Sequence, residues 1–276
     1  SKKNLRYLKS KKKISNIIIK TRDKYIYPNK DEIEGLKINR ILKKTKTVHI
    51  CTPVKNHYES LKKFKFYKKI IVEKPIVENK AQLNKIKKLY KNKFFIVNYI
   101  DIFNPLMNKI RLSLKKKNFY KIKINYSKKH IFYKRKNEFL DEWLDHPLSL
   151  ILFLFKEFGR LELVSATVNR RNNLYNQSVA IKYFYSNFKI YINLNISKKI
   201  QRNFQIYDDK TYTTFHFYKN SIYKKNKKIF QSKKNSFDLF YKMINLGIKN
   251  SSQNFKFHEK IFNEKRKIIK KVKKNI

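Results

Sequence analysis

Glycine is scarce in this sequence: Gly35, Gly159 and Gly247 are the only three in 276 residues, and no two lie close together. A glycine-rich loop that lets the backbone approach a phosphate is therefore missing from the chain as given. The single cysteine, Cys51, excludes an intramolecular disulfide framework and fits a reducing compartment. His49, His130, His216 and His258 stand apart without Cys partners, so no zinc spacing is read and no metal is expected. Long apolar runs are missing too. The most apolar stretch, Leu148 to Phe155, contains Ser149 and is far shorter than the roughly 20 residues of a spanning helix. No signal peptide shows at the start as given, and the expectation is a cytoplasmic protein without a membrane partner.

Acidic residues are scarce as well, 19 against 69 Lys and Arg, for a formal net charge of +50. Taken alone, that charge points to nucleic acid or an anionic membrane surface. Two observations weigh against it. The abundant residues (Lys, Asn, Ile, Phe, Tyr) have AT-rich codons, whereas most of the scarce ones (Gly, Ala, Pro, Trp) do not. The lysines also run along the whole length instead of gathering in one arm. No specific nucleic-acid partner is expected. The Tyr and Phe of the C-terminal strands read as sheet core, with a base-stacking platform as the rival. A hydrophobic share of 41% and an aromatic share of 15% are too rich for disorder, and the length suits one large domain or two ordinary ones.

Along the chain, a helix is expected at Asn4 to Leu8, a strand at Ile14 to Lys20 and a helix at Glu32 to Leu42. Strands follow at Thr47 to Cys51, Lys69 to Val72 and Phe94 to Asn98, with helices at Asn56 to Phe64 and Asn79 to Tyr90 between them. Strands alternating with helices indicate a parallel sheet with right-handed crossovers. After Pro105 the rhythm changes. A helix at Leu106 to Leu114 leads to a strand at Tyr120 to Tyr126 and a helix at Leu140 to Phe155, which Pro147 should kink or restart. Runs of β-branched and aromatic residues at 163–169, 178–185, 189–196, 203–207 and 211–218 then suggest an antiparallel sheet. Phe237 to Ile248 and a basic tail from His258 close the chain as helices.

These residues resemble the glucose–fructose oxidoreductase and inositol dehydrogenase family (Gfo/Idh/MocA). Val48-His49-Ile50-Cys51-Thr52-Pro53, with His57, is similar to its strand and TP…H turn. Ile70-Ile71-Val72-Glu73-Lys74-Pro75 is similar to its EKP motif, the most specific of the matches. Asn98-Tyr99 through Phe103-Asn104-Pro105 resembles the crossover into the second domain, and Leu140 to Leu154, centred on His146, the helix of the catalytic histidine. The resemblance covers essentially the whole chain. It implies an α/β fold: an incomplete Rossmann-like parallel-sheet domain over residues 1–100, then a substrate and oligomerisation α+β domain with an open antiparallel sheet over 101–276. It also implies that Ser1 stands near the third glycine of the family's phosphate loop. The first strand and glycine turn would then precede a chain that is a fragment.

The resemblance implies an NAD(P)-dependent oxidoreductase acting on a sugar, cyclitol or sugar nucleotide, in a homo-oligomer. It gives Lys74 a contact with substrate and nicotinamide, and a lysine beside a cationic ring is suited to proton exchange. His146 becomes the acid–base group, since imidazole titrates near neutrality. The family usually has an aspartate four residues before this histidine. Here that place holds Glu142, with Asp141 and Asp145 as rivals if the register is off by one. Ser149 stands where an acid is often found. Ser1, Thr52, Pro53, His57 and Glu73 are implied as cofactor contacts beside Lys74. Thr21 and Arg22, beyond the first visible strand, suit the 2′-phosphate of NADP over NAD. Two rival readings stay open: a degenerate non-catalytic relative, motivated by the missing glycine loop, and a basic nucleic-acid-binding protein, motivated by charge alone.

Overall fold

The computed structural model describes residues 19–20, 25–26, 47–91, 93–115, 119–129, 138–171, 174–197, 199–246 and 255–274. The helices expected at 4–8 and 32–42 lie outside them. The chain divides into two compact units, Ser1–Val97 and Asn98–Ile276.

In the first unit, β1 (Ile19–Lys20) pairs antiparallel with β2 (Tyr25–Ile26). The sequence pattern put Ile14 to Lys20 in the parallel sheet, but its described end forms a separate two-stranded ladder. An antiparallel pair needs no crossover connection. The three-stranded sheet is β3 (Thr47–Ile50), β4 (Lys69–Glu73) and β5 (Phe94–Asn98), in that order. β3 and β4 run parallel, with Ile50 opposite Val72. Ile70, Ile71 and Val72 are consecutive and all buried. An unbroken apolar run of that kind marks a strand covered on both faces. The helices α1 (His57–Lys63) and α2 (Lys80–Leu89) connect these strands. Leu83, Ile86 and Tyr90 recur at helical spacing and are buried, and the Tyr90 hydroxyl donates to the Leu61 carbonyl at 2.6 Å. Asn79 caps α2 by accepting from the Gln82 N–H at 2.9 Å.

The second unit opens with a 3₁₀ turn, Ile100–Phe103, and α3 (Met107–Lys115). After β6 (Lys121–Lys129) come α4 (Glu138–Trp143) and α5 (Asp145–Phe155). Seven strands follow: β7 (Arg160–Arg171), β8 (Leu174–Phe184), β9 (Lys189–Ser197), β10 (Gln201–Tyr207), β11 (Tyr212–His216), β12 (Ser221–Lys224) and β13 (Lys227–Gln231). The helices α6 (Ser236–Leu246) and α7 (Phe255–Lys274) end the unit. The eight strands form one sheet, ordered β13-β12-β11-β10-β6-β9-β8-β7. Every pair is antiparallel except β6 with β9. That parallel pair departs from the purely antiparallel expectation. β6 precedes α4 and α5, so enough chain separates it from β9 for a crossover.

Burial alternates along the central strands. Ile122, Ile124 and Tyr126 of β6, Ile190, Ile192 and Leu194 of β9, and Phe204 and Ile206 of β10 form the covered face. Each such aliphatic contributes about 1.5–3 kcal/mol over leaving it exposed. On the other face Asn193 donates to Asn125 at 2.8 Å, Asn125 to Gln205 at 3.1 Å and Gln205 to Thr214 at 3.0 Å, an amide and hydroxyl row across four strands. No helix among the described residues is long and apolar enough to cross a membrane.

Candidate active site

His146 lies in the first turn of α5, and its sequence explains the helix start. Pro147 has no N–H to give the Trp143 carbonyl, so the expected helix from Leu140 to Phe155 breaks at Leu144 into α4 and α5. Glu142 and His146 fall on either side of this break, while Leu144 itself keeps helical dihedrals and donates to the Leu140 carbonyl at 3.1 Å. Glu142 sits near the end of α4 with its side chain 45% exposed, and Lys128 Nζ donates to its two oxygens at 2.9 and 3.1 Å. Asp141 is exposed; its carbonyl accepts from Lys265. Asp145 is buried in an ion pair with Lys265 at 3.2 Å. Ser149 Oγ donates to the His146 carbonyl at 2.8 Å.

The carboxylate on the imidazole is that of Asp101, in the 3₁₀ turn after β5. His146 Nδ1 lies 2.6 Å from Asp101 Oδ2, and both side chains are buried. The Tyr126 hydroxyl donates to the same oxygen at 3.0 Å, and Arg202 donates to Oδ1 at 3.3 Å. Arg202 stands directly opposite Tyr126 in the β10–β6 register, which carries its guanidinium onto the covered face. Burial opposes ionisation of Asp101. The charges of Arg202 and His146, with hydrogen bonds from His146 and Tyr126, outweigh it and hold this carboxyl well below the usual range. Burial, followed by the Asp101 charge, drives the Tyr126 phenol well above its ordinary value, so it remains a neutral donor. Tyr126 stacks on the His146 ring at 5.7 Å between centroids, and Trp143 lies 5.6 Å from it on another side. Trp143 Nε1 is buried with no hydrogen-bond partner among the described residues.

In the first unit, His57 ties two of the expected cofactor segments together. Its Nε2 lies 2.7 Å from the Thr52 carbonyl, and its Nδ1 lies 2.9 Å from that of Pro75 and 3.2 Å from that of Ile76. Thr52 and Pro53 are exposed; Lys74 is half-buried just after β4, and its bond to Pro75 is cis. Glu73, at the tip of β4, has its Oε1 3.5 Å from His49 Nε2. Burial opposes the charge of His49, but hydrogen bonds to Cys51 and Glu73 raise it to about 9. Burial likewise pushes the Cys51 thiol up, but the hydrogen bond and charge of His49 lead the effects that leave it lowered. Ser1, Thr21 and Arg22 lie outside the described residues.

The structure thus collects Thr52, His57 and the Glu73-Lys74-Pro75 segment in one unit, and sets His146 on Asp101, Tyr126 and Arg202 in the other. Sequence reasoning missed these last three. Asp101 and Arg202 were readable only as a lone acid in an apolar turn and an arginine just ahead of the strand expected at 203–207.

A short parallel sheet followed by an open, mostly antiparallel one, with helices on its apolar face, is the architecture of a Rossmann-like unit joined to an α+β unit. Among solved structures, the chain is similar to UDP-N-acetylglucosamine 3-dehydrogenase GnnA from Acidithiobacillus ferrooxidans, at 12% identity and a TM-score of 0.68, covering 86% of this chain and 82% of that one. It is similar to the dehydrogenase MviM from Clostridium difficile, at 19% identity and a TM-score of 0.69, over 85% and 82% of the two chains. An oxidoreductase from Sinorhizobium meliloti matches at 14% identity and a TM-score of 0.64, over 85% and 79%. No protein-family model and no curated protein matches the chain. At these identities the likeness establishes the fold, which is the one that the Gfo/Idh/MocA resemblance implied.

Proposed function

We propose that this protein is a nicotinamide-dependent oxidoreductase acting on a hydroxyl-bearing carbon of a sugar, cyclitol or sugar nucleotide. The observation that carries the reading is the Asp101–His146 pair, 2.6 Å apart and buried. Oxidising a carbinol requires a group that takes the hydroxyl proton, and reducing a carbonyl requires one that returns it. An ionised Asp101 accepts only, so Nδ1 of His146 carries the proton between them, and Nε2 is assigned the exchange of a proton with substrate. Asp101 also stabilises the imidazolium once Nε2 is protonated, while Arg202 keeps Asp101 ionised. Glu142, freed of an orienting role in this reading, is assigned a substrate hydroxyl.

The residues at the carboxyl ends of the parallel strands suit a dinucleotide, because open α/β sheets bind ligands there. A bound nicotinamide supplies the hydride acceptor or donor. Lys74 is assigned the substrate oxygen and the neighbourhood of the ring, with Thr52, Pro53 and Glu73 beside it. His57 holds the two segments in register through their carbonyls. Ser1 is assigned to the phosphate turn. Thr21 and Arg22 favour NADP over NAD. The names of GnnA and MviM, both dehydrogenases, support the class, and that of GnnA supports a sugar nucleotide among the candidate substrates.

The test is a fluorescence titration with NADPH and NADH, followed by turnover of a panel of UDP-sugars and free cyclitols read as NAD(P)H absorbance. Binding of either dinucleotide, with turnover lowered about 10²–10⁴-fold in His146→Ala, is the expected result. Binding without turnover of any of them would favour a degenerate relative, and failure to bind either dinucleotide overturns the reading.

A further inference from the structure

The carboxyl ends of β3 and β4 carry a cluster of a different chemistry. His49 and Cys51 are two residues apart, so an extended chain turns both side chains to one face. The last paired residues of these strands are Ile50 and Val72, and one step further each chain reaches Cys51 and Glu73. Ile50 and Val72 are buried in the core, which leaves His49, Cys51 and Glu73 sharing the opposite face. His49 Nε2 lies 3.5 Å from Glu73 Oε1, and one donor atom from each of the three residues falls within 4.8 Å of the other two.

We propose that His49, Cys51 and Glu73 form a three-donor site for a zinc-class divalent cation. An imidazole nitrogen, a thiolate and a carboxylate oxygen are the three donor types zinc accepts, and the thiolate selects against magnesium and calcium. Bond lengths of about 2.0–2.3 Å at tetrahedral angles require donors roughly 3.3–3.8 Å apart. The cluster is therefore within about 1 Å of binding geometry. Cys51 is exposed and Glu73 half-buried, which leaves both side chains room to rotate toward an ion. Parallel pairing fixes the backbone at His49 and up to Ile50 and Val72, one residue short of Cys51 and Glu73. Sequence spacing gave no hint of the site, because the third donor comes from a neighbouring strand and not from a Cys or His nearby in the chain.

The inference goes beyond the oxidoreductase reading and does not depend on it. Because Glu73 is also a proposed cofactor contact, the metal titration is run without dinucleotide and the dinucleotide titration with a chelator, so each reading fails on its own measurement. The reduced, chelator-treated full chain is titrated with Co²⁺, and the thiolate-to-cobalt charge-transfer absorption in the near ultraviolet is followed. Cys51 is the chain's only cysteine, so that band reports Cys51 alone. The expected result is a band that saturates at one cobalt per chain, bleaches on adding Zn²⁺ and is absent in Cys51→Ser. Half-saturation should rise about tenfold or more in His49→Ala and in Glu73→Gln. His49→Gln replaces His49→Ala if circular dichroism shows the alanine variant unfolded. No band in the wild-type chain, or an unchanged half-saturation at either His49 or Glu73, overturns the site.

Discussion

Oδ2 of Asp101 lies 2.6 Å from Nδ1 of His146, although 45 residues separate them in the chain. The contact fixes which ring nitrogen carries hydrogen. It also joins the turn after β5 to the start of α5, so one carboxylate both orients the imidazole and links two elements. Tyr126 and Arg202 complete its set of donors from adjacent strands.

His146→Ala is expected to lower kcat by about 10²–10⁴-fold, the range of a lost acid–base group. The dinucleotide dissociation constant should stay within about twofold, since that reading assigns the cofactor to other residues. Asp101→Asn should lower kcat by about 10²-fold or more, because an amide can present its N–H to Nδ1 and favour the wrong tautomer. A kcat unchanged in either variant removes the proposed proton path. The measurement is steady-state turnover on the substrate selected from the sugar panel, with fluorescence titration of the dinucleotide alongside.

Asp101 should also govern acid stability. Its folded-state pKa is depressed. The stability it confers is therefore complete above the ordinary carboxylate range, near pH 4, and is lost as pH falls toward the folded-state value. Asp101→Asn forfeits that contribution at every pH and leaves Arg202 without its partner. The wild-type chain should exceed the variant by about 3 kcal/mol at pH 7 in urea unfolding. The gap should shrink as the pH falls below about 4. A gap that is the same at pH 7 and pH 3 would mean that Asp101 is not held ionised.

Much of the architecture was legible, for identifiable reasons. The run Ile70-Ile71-Val72 ends in Glu73-Lys74-Pro75, and only a strand buried on both faces needs such a run. The spacing of Leu83, Ile86 and Tyr90 announced α2. What escaped depends on contacts between distant residues or on substitutes for standard signals. Asp101 looked like a lone acid among Ile100, Ile102 and Phe103, and only folding reveals His146 as its partner. The β12–β13 hairpin turns at Lys225 and Asn226, both with positive φ, where a glycine would have flagged the turn. β6 was legible as a strand, but its parallel insertion beside β9 was not, because the pattern of side chains does not encode the direction of a neighbour.

His57→Ala should cost about 2 kcal/mol in urea unfolding, because it leaves the Thr52 and Pro75 carbonyls without the ring that bridges them. It should also weaken dinucleotide binding roughly tenfold by releasing the segments that carry Thr52 and Lys74, if these contact the cofactor as proposed. Loss of stability with unchanged dinucleotide affinity would make His57 a purely structural residue and place the cofactor contacts elsewhere.

Gly159 stands where α5 hands over to β7, and its backbone geometry predicts a strong response to the smallest substitution. A Cβ at this position would come 2.5 Å from the Phe184 carbonyl oxygen and 2.7 Å from Cε2 of Tyr185. Neither neighbour can yield easily. Phe184 is the register partner of Arg160 in the β7–β8 ladder, so its carbonyl is fixed by strand pairing. The Tyr185 ring is stacked on Phe188 at 4.5 Å between centroids, and its hydroxyl donates to the Glu157 carbonyl at 3.0 Å. Gly159→Ala must therefore push the strand or unseat the ring, at about 2 kcal/mol. In a unit of this size that lowers the melting temperature by roughly 4–8 °C. Pairing it with Tyr185→Ala tests the cause. If the ring is the obstacle, Gly159→Ala should cost clearly less in the Tyr185→Ala background; an undiminished cost would assign the clash to the Phe184 carbonyl alone. A melting temperature unchanged by Gly159→Ala in the wild-type background would mean that the β7–β8 edge is softer than its ladder implies.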